Sequence, residues 1–274
     1  MPPPLLYESH LHTPLCRHAV GEPEEYAAEA ERKNLCGIIV TCHNPIPNGY
    51  SANVRMREDQ FDEYVAMVAR ARHVWSGRVD VRLGLECDFA PGLEDDVETL
   101  LRRAEFHHVL GSVHTQVAEY RTRYHTGSVF EYQQTYFKHL AMAAETGLFD
   151  TISHPDLVKN NAPHEWDLTR IFPDILRALD RIAATGVAME LNTSGLLKAV
   201  PEMNPGEEIL TEMHQRNIPV VLGADAHVPM RVGADYPRAL RLLQEVGYET
   251  VGYFLNRHRQ GVKIIDALAS LERA

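Results

Sequence analysis

Residues 22–43 read EPEEYAAEAERKNLCGIIVTCH. The first part, Glu22–Asn34, has helical spacing, and Pro23 suits a first turn, where its missing N–H costs nothing. Gly37 falls where a helix should stop. Cys36–His43 is then a short run rich in Ile and Val that ends on a histidine. A helix feeding a buried strand that ends in a polar residue is the unit from which the fold can be read.

The unit recurs along the chain. Strands are expected at Leu5–His10, Cys36–His43, Val79–Glu86, Val109–His114, Phe149–His154, Val187–Asn192 and Ile218–Asp225. Helical spacing lies between them at Glu22–Asn34, Glu58–Trp75, Leu93–Glu105, Ser128–Thr146, Asp167–Thr185 and Pro205–Arg216. Short Val/Ile/Leu-rich strands alternating with helices predict a parallel α/β fold. Six of the seven strands end in His, Glu or Asp, and the seventh ends in Asn192. A closed barrel gathers all its C-terminal strand ends at one mouth, whereas an open sheet spreads them along an edge. The expectation is therefore a barrel of seven strands, with residues 1–274 as a single domain.

Composition narrows the class. The net charge of −11 and the lack of a Lys/Arg-rich run argue against tracking a nucleic-acid backbone. No apolar run approaches the roughly 20 residues that cross a bilayer, so no membrane partner is expected. Met-Pro-Pro-Pro-Leu-Leu-Tyr at the start has neither the basic region nor the cleavage site of a secretion signal. Cys16, Cys36, Cys42 and Cys87 show no C-x-x-C spacing, which fits free thiols in a reducing, cytoplasmic setting. A homo-oligomer is compatible with all of this. Histidine stands out: there are 15, against 8 Phe and 11 Tyr.

The histidines are placed where chemistry needs them. In Glu-Ser-His10-Leu-His12-Thr-Pro, two histidines at i and i+2 of a strand project to the same side and can reach one ion. Gly-Ala-Asp225-Ala-His227 repeats that geometry with one carboxylate. Between these pairs His43, Glu86, His114 and His154 each end an expected strand, and His18 follows on the first loop. Seven histidines and two carboxylates thus aim at one mouth. Zinc, iron and manganese accept such mixed N/O sets, and three ions could share the nine groups if Glu86 bridges two. Cys16, Cys42 and Cys87 flank these positions and read as packing residues. Among the other histidines, His125 alone lies on a loop that follows a candidate ligand.

In this order, His10-x-His12, His18, His43, Glu86, Ser-Val-His114, Ser-His154-Pro and Asp225-x-His227 resemble the polymerase-and-histidinol-phosphatase (PHP) family. The resemblance implies a distorted (β/α)7 TIM-like barrel. It further implies one metal on His10, His12, Glu86 and Asp225, a second on Glu86, His114 and His154, and a third on His18, His43 and His227. His12-Thr-Pro-Leu-Cys-Arg-His18, Thr-Cys-His43-Asn-Pro, Ser-His154-Pro-Asp-Leu-Val-Lys159 and Glu190-Leu-Asn-Thr-Ser-Gly195 are similar to the branch of monofunctional histidinol-phosphate phosphatases. The similarity covers roughly Tyr7 to Pro237. It departs at Cys42, where an acidic residue is common.

The expected reaction is hydrolysis of a small phosphomonoester, L-histidinol phosphate, by a hydroxide bridging two ions. Asp225 would ligate and orient that hydroxide, and Asp225 or His227 would pass a proton to the leaving oxygen. Lys159, Lys198 and Arg231, just beyond ligand positions, are candidates to clamp phosphate oxygens, with Arg17 and Arg55 behind them. Glu119, on the loop after His114, is the candidate for the histidinol amine or imidazole. The competing expectations are action on another small phosphorylated compound, such as a nucleotide, and a binding module that has lost catalysis. Retention of all nine candidate ligands argues against the second.

Overall fold

The run that decides the sequence reading folds as helix α1 (Pro23–Arg32) and strand β2 (Gly37–Val40) in the computed structural model, which describes residues 3–271. Pro23 sits in the first turn of α1, and Glu22 and Glu25 cap it reciprocally. All seven expected strands form: β1 (Tyr7–Glu8), β2, β3 (Asp80–Asp88), β4 (His108–Ser112), β5 (Thr151–Ile152), β6 (Ala188–Asn192) and β7 (Val220–Gly223). The expected helices form as α1, α2 (Phe61–Val74), α3 (Glu94–Leu101), α5 (Val129–Glu145), α6 (Leu168–Thr185) and α7 (Glu207–Gln215). A short helix α4 (Ala118–Tyr124) precedes α5. Helix α6 shows why such segments dock: Ile171, Ile175, Ala178, Leu179 and Ile182 form one buried stripe at helical spacing.

Strands β1 to β7 pair in parallel, each with the next in sequence. The ring closes just past the strand ends, where Leu11 and Ala226 form a parallel bridge. The His12 and Ala226 amides donate to Ala226 O and His10 O, each at 2.9 Å. Buried Glu8 fastens the same seam. Its carboxylate accepts from the amides of His10 and Ala224 at 3.0 Å and of Gly233 at 2.8 Å. The architecture is therefore the expected distorted, TIM-like α/β barrel.

The C-terminal region adds elements that the strand–helix pattern does not predict. Helix α8 (Tyr236–Val246) leads to β8 (Thr250–Leu255), β9 (His258–Lys263) and α9 (Ile264–Leu271). Strand β8 joins β7 in parallel and β9 turns back antiparallel. Phe254 packs with Ala188 and Val221 and stacks on His108, its ring centroid 5.0 Å away. Tyr253 stacks on Tyr7, and the Arg257 amide donates to His107 O. These contacts fall on the starts of β1, β4, β6 and β7, so the hairpin closes the end of the barrel opposite the ligand-bearing mouth. Its turn residues, Asn256 and Arg257, both adopt positive φ without a glycine, and β9 is largely polar. That removes the usual sequence signal of a hairpin.

Candidate metal centre

The nine candidate ligands converge because each stands at or just past a strand end on the same side of the barrel. His10 and His12 follow β1, and His18 follows the short turn Pro14–Cys16. His43 extends β2 and bridges to Glu86 on β3. His114 follows β4, His154 follows β5, and Asp225 and His227 follow β7. His154 and Asp225 hold φ values of 27° and 48°, a region that costs a non-glycine residue about 1–3 kcal/mol. Such strain persists where surrounding bonds overdetermine the backbone. Here the His154 amide donates to Glu190 Oε2 at 2.9 Å, and its carbonyl accepts from Tyr136 Oη at 3.0 Å.

Glu86 is the hub. Its Oε2 lies 3.4 Å from His10 Nε2, 3.5 Å from His12 Nε2 and 2.9 Å from His43 Nδ1. Its Oε1 lies 3.3 Å from His114 Nε2 and 3.1 Å from His154 Nε2. Asp225 Oδ1 stands on the first side, 3.6 Å from His10 Nε2 and 3.1 Å from His12 Nε2. The third expected trio is looser: the His18 ring centroid is 5.3 Å from His43 and 4.6 Å from His227, with His43 and His227 6.4 Å apart.

The donors fit metal ions. His10 Nε2, His43 Nδ1, Glu86 Oε2 and His227 Nε2 are buried without a hydrogen-bond partner among the described residues. Orphaned polar atoms are costly in a protein interior unless something else satisfies them. Ligand atoms of His10, His12 and Glu86 lie within 4.8 Å of one another, as do those of His43, Glu86 and His114, and those of His12, His43 and His227. These groups could each hold an ion.

Four of the opposite ring nitrogens are anchored by oxygen, as metal-ligating imidazoles require. His10 Nδ1 pairs with Glu190 Oε1 at 2.7 Å, and His114 Nδ1 with Asp88 Oδ1 at 2.8 Å. His18 Nδ1 meets Cys16 O at 2.7 Å and His227 Nδ1 meets Asp225 O at 3.0 Å. Asp88 is itself held by Arg55 Nη2 at 2.6 Å. Ser112 Oγ donates to Glu86 Oε1 at 2.6 Å and pairs with Ser153 Oγ. Gly223 is required here, since a Cβ at that position would come within 2.0 Å of Glu190 Oε1.

Charge follows from this geometry. Burial disfavours ionised Glu86, yet His43, His10 and His114 hold its carboxyl well below the usual range. Burial is likewise outweighed at Asp225 by His10, His12 and His227. Burial pushes the imidazoles of His43 and His227 down to about 4 and about 3. His114 behaves oppositely: burial opposes its charge, but Asp88 and Glu86 hold it up at about 10.

The candidate phosphate clamps separate. Lys198 Nζ lies 2.8 Å from Ser194 Oγ and 3.6 Å from Asp225 Oδ2, so it borders the cluster. Lys159 is not available to a substrate. It is 0% exposed, and its ammonium is taken up by Asp156 at 2.7 Å, Glu202 at 2.8 Å and Met203 O at 3.2 Å. Arg55 is spent in the same way, on Asn44, Ser51 and Asp88. Arg231 reaches Asp235 at 3.3 Å, and its Nη2 has no partner among the described residues. Arg17 is exposed beside His18. Glu119 is exposed and accepts from the Ser51 amide at 3.0 Å, joining two mouth loops. His125 stacks on Tyr132, off the cluster, with ring centroids 4.5 Å apart.

Sequence reading missed Glu190, Asp88 and Glu8. Each was detectable: Asp88 is two residues from Glu86 and Glu8 two from His10, so they share a strand face with a ligand. Glu190 is a lone charge in an otherwise uncharged, buried strand.

The model of the PHP domain matches residues 8–194. A Deinococcus radiodurans protein named probable histidinol-phosphatase is 40% identical over 268 residues, spanning 93% of this chain and 98% of its own. The histidinol-phosphatase of Bacillus subtilis is 25% identical, over 84% of this chain and 96% of its own. A Lactococcus lactis histidinol phosphate phosphatase, solved with zinc, L-histidinol and phosphate, has the same fold. It superposes with a TM-score of 0.77 at 17% identity, covering 93% of this chain and 98% of that one.

Proposed function

The chain belongs to the PHP domain family, and on that premise we propose that it is a metal-dependent phosphomonoesterase hydrolysing L-histidinol phosphate to L-histidinol and phosphate. The observation that carries the chemistry is the division of Glu86, one oxygen facing His10, His12 and His43 and the other facing His114 and His154. A carboxylate so shared is suited to bridge two ions. The substrate rests on the relatives named histidinol-phosphatase.

In this reading His10, His12, Glu86 and Asp225 hold one ion, Glu86, His114 and His154 a second, and His18, His43 and His227 a third. The donor set suits zinc, iron or manganese. Bound there, such ions lower the pKa of water toward neutrality and neutralise phosphoryl oxygens. Asp225 is the group placed to hold or pass the proton that the leaving oxygen needs. Its Oδ1 faces His12, and its Oδ2 accepts from Ser194 Oγ at 3.1 Å, beside Lys198. His227, partly exposed on the same loop, is the alternative carrier. Lys198 adds a cation next to Asp225 for a substrate phosphate. No described helix is long and apolar enough to cross a membrane, and we assign the enzyme to the cytoplasm.

Phosphate release from L-histidinol phosphate by metal-replete protein, beside a panel of other phosphomonoesters including nucleotides, tests the proposal. The expected result is a kcat/KM for histidinol phosphate far above the panel. Comparable weak rates throughout would discard the substrate, and no release from any compound would discard the phosphatase.

A further inference from the structure

Two sulfurs lie against the carboxylate–imidazole cluster and have no part in the phosphatase reading. Cys16 ends the turn Pro14–Cys16 and Cys42 lies just past β2; both are 0% exposed. Thr13 Oγ1 donates to Cys42 Sγ at 3.2 Å and fixes the second sulfur beneath the first loop. Ligand atoms of Cys16, Cys42 and His12 lie within 4.8 Å of one another.

His12 supplies the independent sign that something belongs there. Its Nε2 faces Asp225 and Glu86, whereas its fully buried Nδ1 has no oxygen or nitrogen partner among the described residues and the ring meets the Cys42 sulfur. The Nδ1 atoms of His10, His18, His114 and His227 are all held by oxygen. Two thiols and one orphaned imidazole nitrogen form a soft donor set, unlike the N/O sets beside it.

We propose that Cys16, Cys42 and His12 Nδ1 form a separate site for a thiophilic d10 cation, cadmium, zinc or monovalent copper. The mouth gives the way in, since Cys16 also lies within 4.8 Å of ligand atoms of His18, which is exposed, and His227. Binding is coordination without redox change. Two sulfur–metal bonds and one bond to His12 Nδ1 form, whatever protons the two thiols and the Nδ1 of the already ligated ring carry pass to solvent, and the thiolates offset the cation's charge. The ring that closes the site is the one that faces Asp225 and Glu86. Occupancy therefore lowers turnover, a consequence that rests on the phosphatase reading.

The test is a cadmium titration of the full chain with its N/O sites first saturated with manganese. The site predicts a sulfur-to-cadmium charge-transfer band that saturates at one ion per chain. The band is lost in Cys16→Ser and in Cys42→Ser and kept in Cys36→Ser and Cys87→Ser. In wild-type protein, needing no variant to fold, turnover falls about tenfold as the band saturates. No band at saturating cadmium, a band that survives both substitutions, or a band lost in Cys36→Ser or Cys87→Ser would overturn the site. A protein without phosphatase activity that still gives the band would overturn only the function proposed above.

Discussion

Glu86 Oε2 and His43 Nδ1 stand 2.9 Å apart, buried, and neither has a hydrogen-bond partner among the described residues. Two buried lone-pair atoms this close are arranged as ligands of adjoining cations. Replacing Glu86 by Gln keeps the shape and removes the charge that both sides of the cluster use. The expected result is loss of bound metal by elemental analysis and about a thousandfold lower kcat, from several kcal/mol of lost charge stabilisation. Normal metal content in a folded Glu86→Gln protein would exclude Glu86 as the hub of the site.

Asp225 differs from Glu86 in bordering Lys198 and Ser194 as well as the imidazoles. Asp225→Asn should fold normally by circular dichroism and lose about three orders of magnitude in kcat. Near-wild-type turnover would exclude it from both ligation and proton transfer.

Glu190 touches no expected ion, yet it orients His10 and the His154 backbone. Its replacement by Gln should weaken metal binding by about 10- to 100-fold, measured as the chelator concentration that strips the protein. An unchanged stripping curve would reduce Glu190 to a packing role.

Lys159 and Lys198 should separate cleanly. Lys159→Ala leaves Asp156 buried without its cation and should cost about 3–5 kcal/mol in denaturant melts. In that variant KM for the phosphomonoester should stay near wild type. Lys198→Ala should raise KM or lower kcat while the melt hardly moves. The reverse pattern would restore Lys159 as the clamp.

His114 gives a pH signature in metal-stripped protein. Its folded pKa of about 10 lies above the usual value of 6.5, so it binds its proton more tightly folded than unfolded. That stabilisation is complete below about pH 6.5 and is lost as pH rises towards about 10. Thermal melts across this range should show the decline, and Asp88→Asn should flatten it. Metal uptake near pH 8 should also release the His114 proton, detectable with an indicator dye. Melts independent of pH across that window would contradict the Asp88–His114 pairing.

Much of the site was legible because strand ends are local. A Val/Ile/Leu run followed by His or Glu marks both an element and a direction, and parallel strands then bring those ends together. Glu8, Asp88 and Glu190 escaped because they read as ordinary charges until their partners are known. The β8–β9 hairpin escaped because Asn256-Arg257 turns without glycine and the second strand is polar.

By itself the sequence determined the alternation of helix and strand, the mouth at which the nine groups gather, and the family they belong to. These rest on spacing within a few residues, which the chain carries wherever it folds. Tertiary structure alone decided how Glu86 divides its two oxygens, that Lys159 is buried against Asp156 and Glu202, and that His12 faces two sulfurs across the first loop. The partners in those relationships lie up to 76 residues apart in the chain, as Glu86 and His10 do. Their pairing depends on the closure of the barrel, which no local pattern encodes.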